Sequence, residues 1–434
     1  MRKNIIIIFA ILLSISAGAS CETMLSSLED IAFYAAEHNP DYKTSQVNIM
    51  RAADNRLGLF LFKNSSLSVN TDIYDNLQGS ESGLPGYKDP GYSATLALPV
   101  IEQLSLSAAV DNDLNGQLGI NLKPLAHSSA QKELELKYNS SVISAEGTSI
   151  SVKIDTVGAA LKWMSAKREL SAADRESELS EIKYKDNKVR YDLGEMTLDE
   201  LTNSLITWSE ARVLLSSKEQ QYNASENLLY STLGGGSGEV VVKMMELETL
   251  KDALDSLKQN LDPENSNQMK QSVYRLSVLN SQIAEVNLGT TWNFEPELSA
   301  SAGLVIDSTG NLSVEAGIQF GISPSDFQKK KRTIAEKEYQ ISLLVADQSL
   351  NLAQLNLEQT KDSIKSTAIN SNISQLKMEQ AKVLLSEAEL LYKNGEYSEL
   401  ELNESQLTLD KAENSLFLST INEYLSWLEL EKYM

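Results

Sequence analysis

One pattern occurs twice in this chain, from Tyr191 to Ser204 and again from Tyr392 to Ser405. Tyr191-Asp192-Leu193-Gly194-Glu195-Met196-Thr197-Leu198-Asp199-Glu200-Leu201 and Tyr392-Lys393-Asn394-Gly395-Glu396-Tyr397-Ser398-Glu399-Leu400-Glu401-Leu402 share Tyr, Gly, Glu, Thr/Ser, Glu and Leu in register. The chain is a duplicated unit, so whatever one copy builds the other must build as well.

Each copy reads as the tip of a helical hairpin. Gly194 and Gly395 can take the left-handed conformation that ends a helix, and Thr197 and Ser398 can cap the helix that follows. Glu200 and Glu401 stand three residues beyond those caps, the spacing of a capping box.

Residues 1–20 read as a secretory signal: Arg2 and Lys3, then the apolar run Ile5 to Leu13, then small residues up to Ser20. That run is too short to cross a bilayer core of about 30 Å, which takes roughly 20 helical residues. Cys21 is the sole cysteine. It suits lipoprotein-type processing with an acylated N-terminus, and cleavage after Ala17-Gly18-Ala19 suits the sequence too. A single cysteine allows no disulfide within the chain, so packing must supply the stability. The formal charge is −22, or −24 once Arg2 and Lys3 leave (−22 − 2). Such an acidic chain lacks the clustered Lys and Arg that a nucleic acid partner requires.

Leu25 to Phe62 is helical in pattern, with a start signal at Ser26 and Ser27 and an interruption at Asn39-Pro40. Ser65 to Tyr74 then alternates, and further alternating runs follow a Gly/Ser/Pro-rich loop, at Tyr92 to Leu98, Leu104 to Val110 and Gln117 to Leu122. From Ala126 to Tyr191 a helical pattern runs without proline, roughly 100 Å at about 1.5 Å per residue. The return helix, Thr197 to Leu233, holds Leu201, Trp208, Leu215, Tyr222 and Leu229 at seven-residue intervals, a coiled-coil seam closed by the glycines at 234–238.

The second half repeats this order. A helix ends near Leu288, strands follow at Glu295 to Leu304 and Leu312 to Phe320, and a long helix leads to the tip at Gly395. Its return arm has two seven-residue stripes, one through Leu402, Leu409 and Leu416 and one through Leu400, Leu407, Asn414, Ile421 and Leu428. Gly119-Ile120-Asn121-Leu122 corresponds to Gly317-Ile318-Gln319-Phe320, which carries the duplication into the strands. The organisation is a signal peptide at 1–20, a first structural repeat at 21–238, a connector at 239–263 and a second repeat at 264–434.

Short alternating strands in an exported chain need somewhere to bury an apolar face. So few cannot close a membrane barrel alone, because such barrels need at least about eight strands and lipid tolerates no open edge. The chain must share its barrel with copies of itself.

Ser27-Leu28-Glu29-Asp30-Ile31-Ala32 with Asn39-Pro40, followed by the two Tyr-x-x-Gly-Glu tips, resembles the TolC-like outer-membrane efflux family across nearly all of the mature length. The resemblance implies a mainly α fold with membrane β: a duplicated unit of long coiled-coil hairpins, with strands given to a shared trimeric outer-membrane barrel and helices to a periplasmic α-helical tunnel. It implies a homotrimer with four strands per protomer. It also implies a duct for small molecules or polypeptides in tripartite efflux or type I secretion, reached through a periplasmic adaptor from an inner-membrane RND or ABC transporter. The first repeat carries two extra alternating runs at 92–110, which make the strand number four or six. A duct of this kind is not an enzyme and implies no cofactor.

Position after the tip glycine maps Glu401 and Glu404 onto the acidic rings that family members place at the periplasmic mouth, with Glu200 the first-repeat counterpart of Glu401. Three-fold symmetry would multiply each into a ring whose carboxylates raise each other's pKa. Without the resemblance these glutamates read as ordinary solvated residues that complement a helix dipole. Gly194, Gly395 and Tyr397 are the tip residues expected to meet the adaptor. Tyr397 stands where relatives can carry a basic residue, and a phenol brings no positive charge near neutral pH.

Other chemistry finds little support. His38 and His127 are the only histidines, too few for a histidine metal site. The glycines at 234–238 lack the Lys-Ser/Thr of a phosphate loop. The competing reading is a periplasmic coiled-coil adaptor or structural lipoprotein anchored through Cys21, with its strands in a small soluble domain. Two tandem hairpins rather than one weigh against it.

Overall fold

The computed structural model describes residues 23–58, 66–72, 91–101, 104–111, 116–122, 129–234, 240–291, 294–306, 311–324 and 326–434. The signal segment, Cys21 and His127 lie outside them. In chain order the elements are β1 (Thr23–Leu25), α1 (Leu28–His38), α2 (Pro40–Gly58), β2 (Ser66–Asp72), β3 (Gly91–Ile101), β4 (Leu104–Asp111) and β5 (Gly116–Leu122). Next come α3 (Ser129–Asp192), α4 (Leu198–Leu233), β6 (Val240–Val242), α5 (Leu247–Asn260), a short 3-10 turn (Gln268–Lys270) and α6 (Ser272–Thr290). The chain finishes with β7 (Phe294–Ile306), β8 (Leu312–Pro324), α7 (Asp326–Lys393), α8 (Glu399–Glu429) and a 3-10 turn (Leu430–Tyr433).

Two compact units divide these elements, and each sequence repeat contributes to both. One holds the described residues up to Lys43 with Thr148–Ser266 and Asn356–Met434; the other holds Thr44–Gly147 and Asn267–Leu355.

In the first unit α8 is the most shielded helix. Phe417, Ile421 and Leu428 are buried to within 1% of complete, among Leu161 and Met164 of α3, Leu229 of α4 and Leu250 of α5. Each fully buried side chain of this size contributes roughly 1.5–3 kcal/mol. The heptad seams are as expected: on α4 the line Leu201, Trp208, Leu215, Tyr222 and Leu229 is shielded, and on α8 Leu407, Leu409 and Leu416 are buried. Trp208 stacks on Tyr184 of α3 with ring centroids 5.2 Å apart.

Ser27 caps α1 in a complete capping box with Asp30, and the hydrogen bonds from Ser27 hold that carboxyl below its ordinary pKa. The break at Asn39-Pro40 is itself a cap, because Asn39 Oδ1 accepts from the Asp41 N–H at 2.9 Å while its Nδ2 donates to the Thr232 carbonyl at 3.2 Å. Gly234 ends α4 at φ 74°, and a Cβ there would lie 2.5 Å from the His38 carbonyl oxygen. No other residue fits that corner. The connector is ordered: β6 pairs in parallel with β1, and α5 packs on α8.

The second unit is built on one sheet of order β2-β3-β4-β5-β7-β8, antiparallel at every pairing. The runs at 92–110 are therefore strands of this sheet. It has six strands among the described residues, where the family resemblance implies four. The reason is visible in the alternation, since β3 and β4 carry the same period as their neighbours and pair in register with them. In the same unit α3 and α6 approach closely at Gly147, where a Cβ would lie 2.5 Å from Ser272 Oγ, and Arg275 on α6 pairs with Glu146 on α3 at 2.8 Å.

Candidate functional site: hairpin tips and sheet face

The two tips are built alike. Gly194 and Gly395 have φ of 77° and 79°. In each, the glycine N–H donates to the carbonyl three residues back, Tyr191 or Tyr392, and the following Glu N–H donates five residues back, to Arg190 or Leu391. That pair of bonds is a Schellman motif. The Thr197 N–H and hydroxyl both donate to Glu200 Oε2 at 2.8 Å, and the Ser398 N–H and hydroxyl donate to Glu401 Oε2 at 2.7 and 2.8 Å. Thr197 and Ser398 in turn accept from the Glu200 and Glu401 N–H groups, which completes both boxes.

These bonds, from Thr197 in one tip and Ser398 in the other, hold the Glu200 and Glu401 carboxyls below their ordinary pKa. Within one chain the direction is thus opposite to the rise expected of a carboxylate ring. Glu404, one turn on, is engaged by Lys183 of α3 in an ion pair. The three acidic residues are each tied to a separate partner. Tyr397 in the second tip is 37% exposed, and the apolar residues Leu193 and Leu198 of the first tip are 69% and 61% exposed.

The Glu404 contact belongs to a polar ladder between α3 and α8 that the sequence reading did not find. Arg175 pairs with Asp410, Lys411 with Glu176 at 2.7 Å, and Asn414 Nδ2 donates to the Arg168 carbonyl at 3.2 Å. The Arg168 guanidinium lies 4.3 Å over the Phe417 ring. From Arg168/Phe417 to Arg175/Asp410, and from Glu176/Lys411 to Lys183/Glu404, a rise of seven on α3 matches a fall of seven on α8, the signature of an antiparallel coiled coil. The seven-residue spacing of Arg168, Arg175 and, one step over, Glu176 and Lys183 was the available signal.

The sheet has two unlike faces. Alternation and pairing put one apolar row across all six strands, Leu67–Leu96–Ala108–Leu118–Leu304–Val314. Leu118, Leu304 and Val314 are 57%, 41% and 72% exposed in the single chain. The opposite face is mostly small and polar, as in the row Ser66–Ala97–Ser107–Gly119–Gly303–Glu315, with Val305 its one large apolar residue on β7. There the duplication recurs in detail: the Ser107 hydroxyl donates to the Gly119 carbonyl and the Ser301 hydroxyl to the Gly317 carbonyl, both at 3.5 Å. Among the described residues no helix is long and apolar enough to cross a membrane, and no cluster of His, Cys, Asp and Glu is arranged to hold a metal.

Paired α-helical hairpins joined to a two-faced antiparallel sheet make the fold of the TolC-like outer-membrane channels. Solved structures bear this out. CusC is 13% identical with a TM-score of 0.64, covering 96% of this chain and 94% of its own. The CmeC outer-membrane channel of Campylobacter jejuni is 12% identical at 0.62, covering 94% and 85%, and the open state of the MtrE outer-membrane channel of Neisseria gonorrhoeae is 14% identical at 0.63, covering 94% and 88%. No family profile and no curated protein matches the sequence. At these identities the likeness is one of fold.

Proposed function

We propose that this chain is the outer-membrane channel of a tripartite efflux or type I secretion system, a passive homotrimeric duct. The observation that carries the reading is the sheet. Among the described residues it has one apolar face exposed in the single chain, one mostly polar face, and β2 and β8 as its edge strands, an arrangement lipid tolerates only when another sheet closes the edges. A soluble adaptor or structural lipoprotein would leave that face against water. Further support for self-association comes from a heptad line on α7, Ile369, Leu376, Val383 and Leu390, each more than half exposed.

In this reading the hairpins form a periplasmic tunnel whose tips, with Gly194, Gly395 and Tyr397, meet an adaptor serving an inner-membrane RND or ABC transporter. Glu401, Glu404 and Glu200 form acidic rings at the mouth. Residues 1–20 direct export, and Cys21 is the candidate lipid attachment. Outer-membrane fractionation with crosslinking tests the proposal: a trimer in the outer membrane is expected, and a monomer or a soluble periplasmic protein rejects it.

A further inference from the structure

We infer that each copy of this chain gives six strands to the membrane sheet, and that β2 of one copy pairs with β8 of the next, so that three copies close eighteen strands. The inference rests on the channel reading above and adds the strand count, the width of the lumen and the identity of the closing edges.

Register is the first argument. β3 and β4 sit in the interior of the sheet, and the apolar row Leu67–Leu96–Ala108–Leu118–Leu304–Val314 passes through them without a break. A one-residue slip at either strand would turn its apolar residues onto the polar face, so the continuity is specified by sequence. A surface loop has no need of that alternation. The connection between β3 and β4 is also only two residues, 102–103, the length of a tight hairpin.

Edge direction is the second. Five successive antiparallel pairings leave β2 and β8 running in opposite directions. Head-to-tail contact of identical copies then makes every junction antiparallel, which a closed outer-membrane barrel requires. An odd number of strands per copy would force a parallel junction. Because barrel diameter grows roughly linearly with strand number, eighteen strands give a lumen about one and a half times as wide as twelve.

Cysteine chemistry on the full-length protein in outer-membrane vesicles tests this, with wild type, which has Cys21 alone, as background. Ser68→Cys with Thr95→Cys should join β2 to β3 within one copy. Asn70→Cys combined with single cysteines along β8, such as Ser313→Cys and Gln319→Cys, should join neighbouring copies into dimers and trimers. Single variants guard against misfolding: a membrane-impermeant maleimide should label Leu96→Cys and Leu106→Cys about tenfold more slowly than Thr95→Cys, because a lipid-facing thiol is shielded and poorly ionised. If the trimer is in the outer membrane but the Ser68/Thr95 pair fails to link and positions 91–111 label uniformly, the added strands are a loop and the count is twelve. If the protein is not in the outer membrane at all, the channel reading falls and this inference with it.

Discussion

Gly234, Gly194 and Gly395 share a positive φ, yet their surroundings separate the consequences of replacing them. A Cβ at Gly395 meets nothing within 4 Å, so its replacement is opposed by backbone conformation alone. Gly395→Ala should cost about 1–2 kcal/mol and Gly395→Asn less, with Gly395→Val the worst of the three. Gly234→Ala adds a clash with the His38 carbonyl and should lower the thermal midpoint further than Gly395→Ala does. Equal midpoints for the two alanine variants would mean that the α1–α4 corner gives way freely. The capping glutamates make a pH prediction. Their folded pKa is depressed, so their stabilisation of the tips is complete above the ordinary value of 4.5 and is lost as pH falls through the lower folded value. Glu401→Gln keeps an acceptor in the box but cannot titrate, so its tip should show a smaller acid-induced loss of amide protection than wild type. Hydrogen exchange over residues 398–402 checks this, and an identical acid response in wild type and variant would detach the effect from the cap.

Between elements, the ion pair of Lys258 on α5 with Glu423 on α8, 2.7 Å apart, sits where one partner is shielded and the other is not. The Glu423 side chain is 5% exposed and that of Lys258 35%. Removing the lysine strands a carboxylate in the core of the first unit, whereas removing both charges leaves an apolar contact. Lys258→Met should therefore destabilise by about 3 kcal/mol, while Lys258→Met with Glu423→Leu should recover most of that loss. A double-mutant cycle by denaturant unfolding measures it; additive losses would show that the two side chains do not depend on each other. The same logic governs the α3–α8 ladder, whose pairs are more exposed and individually worth little. Their value is in setting which residue of α8 faces which residue of α3.

For the whole molecule, the ladder bears on conduction. In the proposed channel Glu401 is held ionised by its cap, and Glu404 is offset by Lys183. Glu401→Gln should then reduce the cation preference of the closed pore, and Lys183→Gln should increase it by leaving the Glu404 charge uncompensated. Reversal potentials in planar bilayers read both changes directly. Unchanged selectivity in the pair of variants would make these glutamates capping and packing residues only.

What the sequence determined by itself is everything written within a few neighbouring residues. The Schellman turns at Gly194 and Gly395, the capping boxes of Thr197–Glu200 and Ser398–Glu401, the cap at Ser27, the break at Asn39-Pro40 and the seams through Trp208 and Leu409 all depend on short-range hydrogen bonds or on one helix's own periodicity. Each was legible for that reason. The tertiary structure alone decided which surfaces meet. The three-residue strand β1 has no pattern of its own and exists because β6, from the connector, lies beside it. Glu404 reads as a solvated carboxylate until α3 brings Lys183 to it. The alternation at 92–110 announced strands, but whether they joined the sheet depended on pairing in register with residues far along the chain, and only the packed structure supplies those partners.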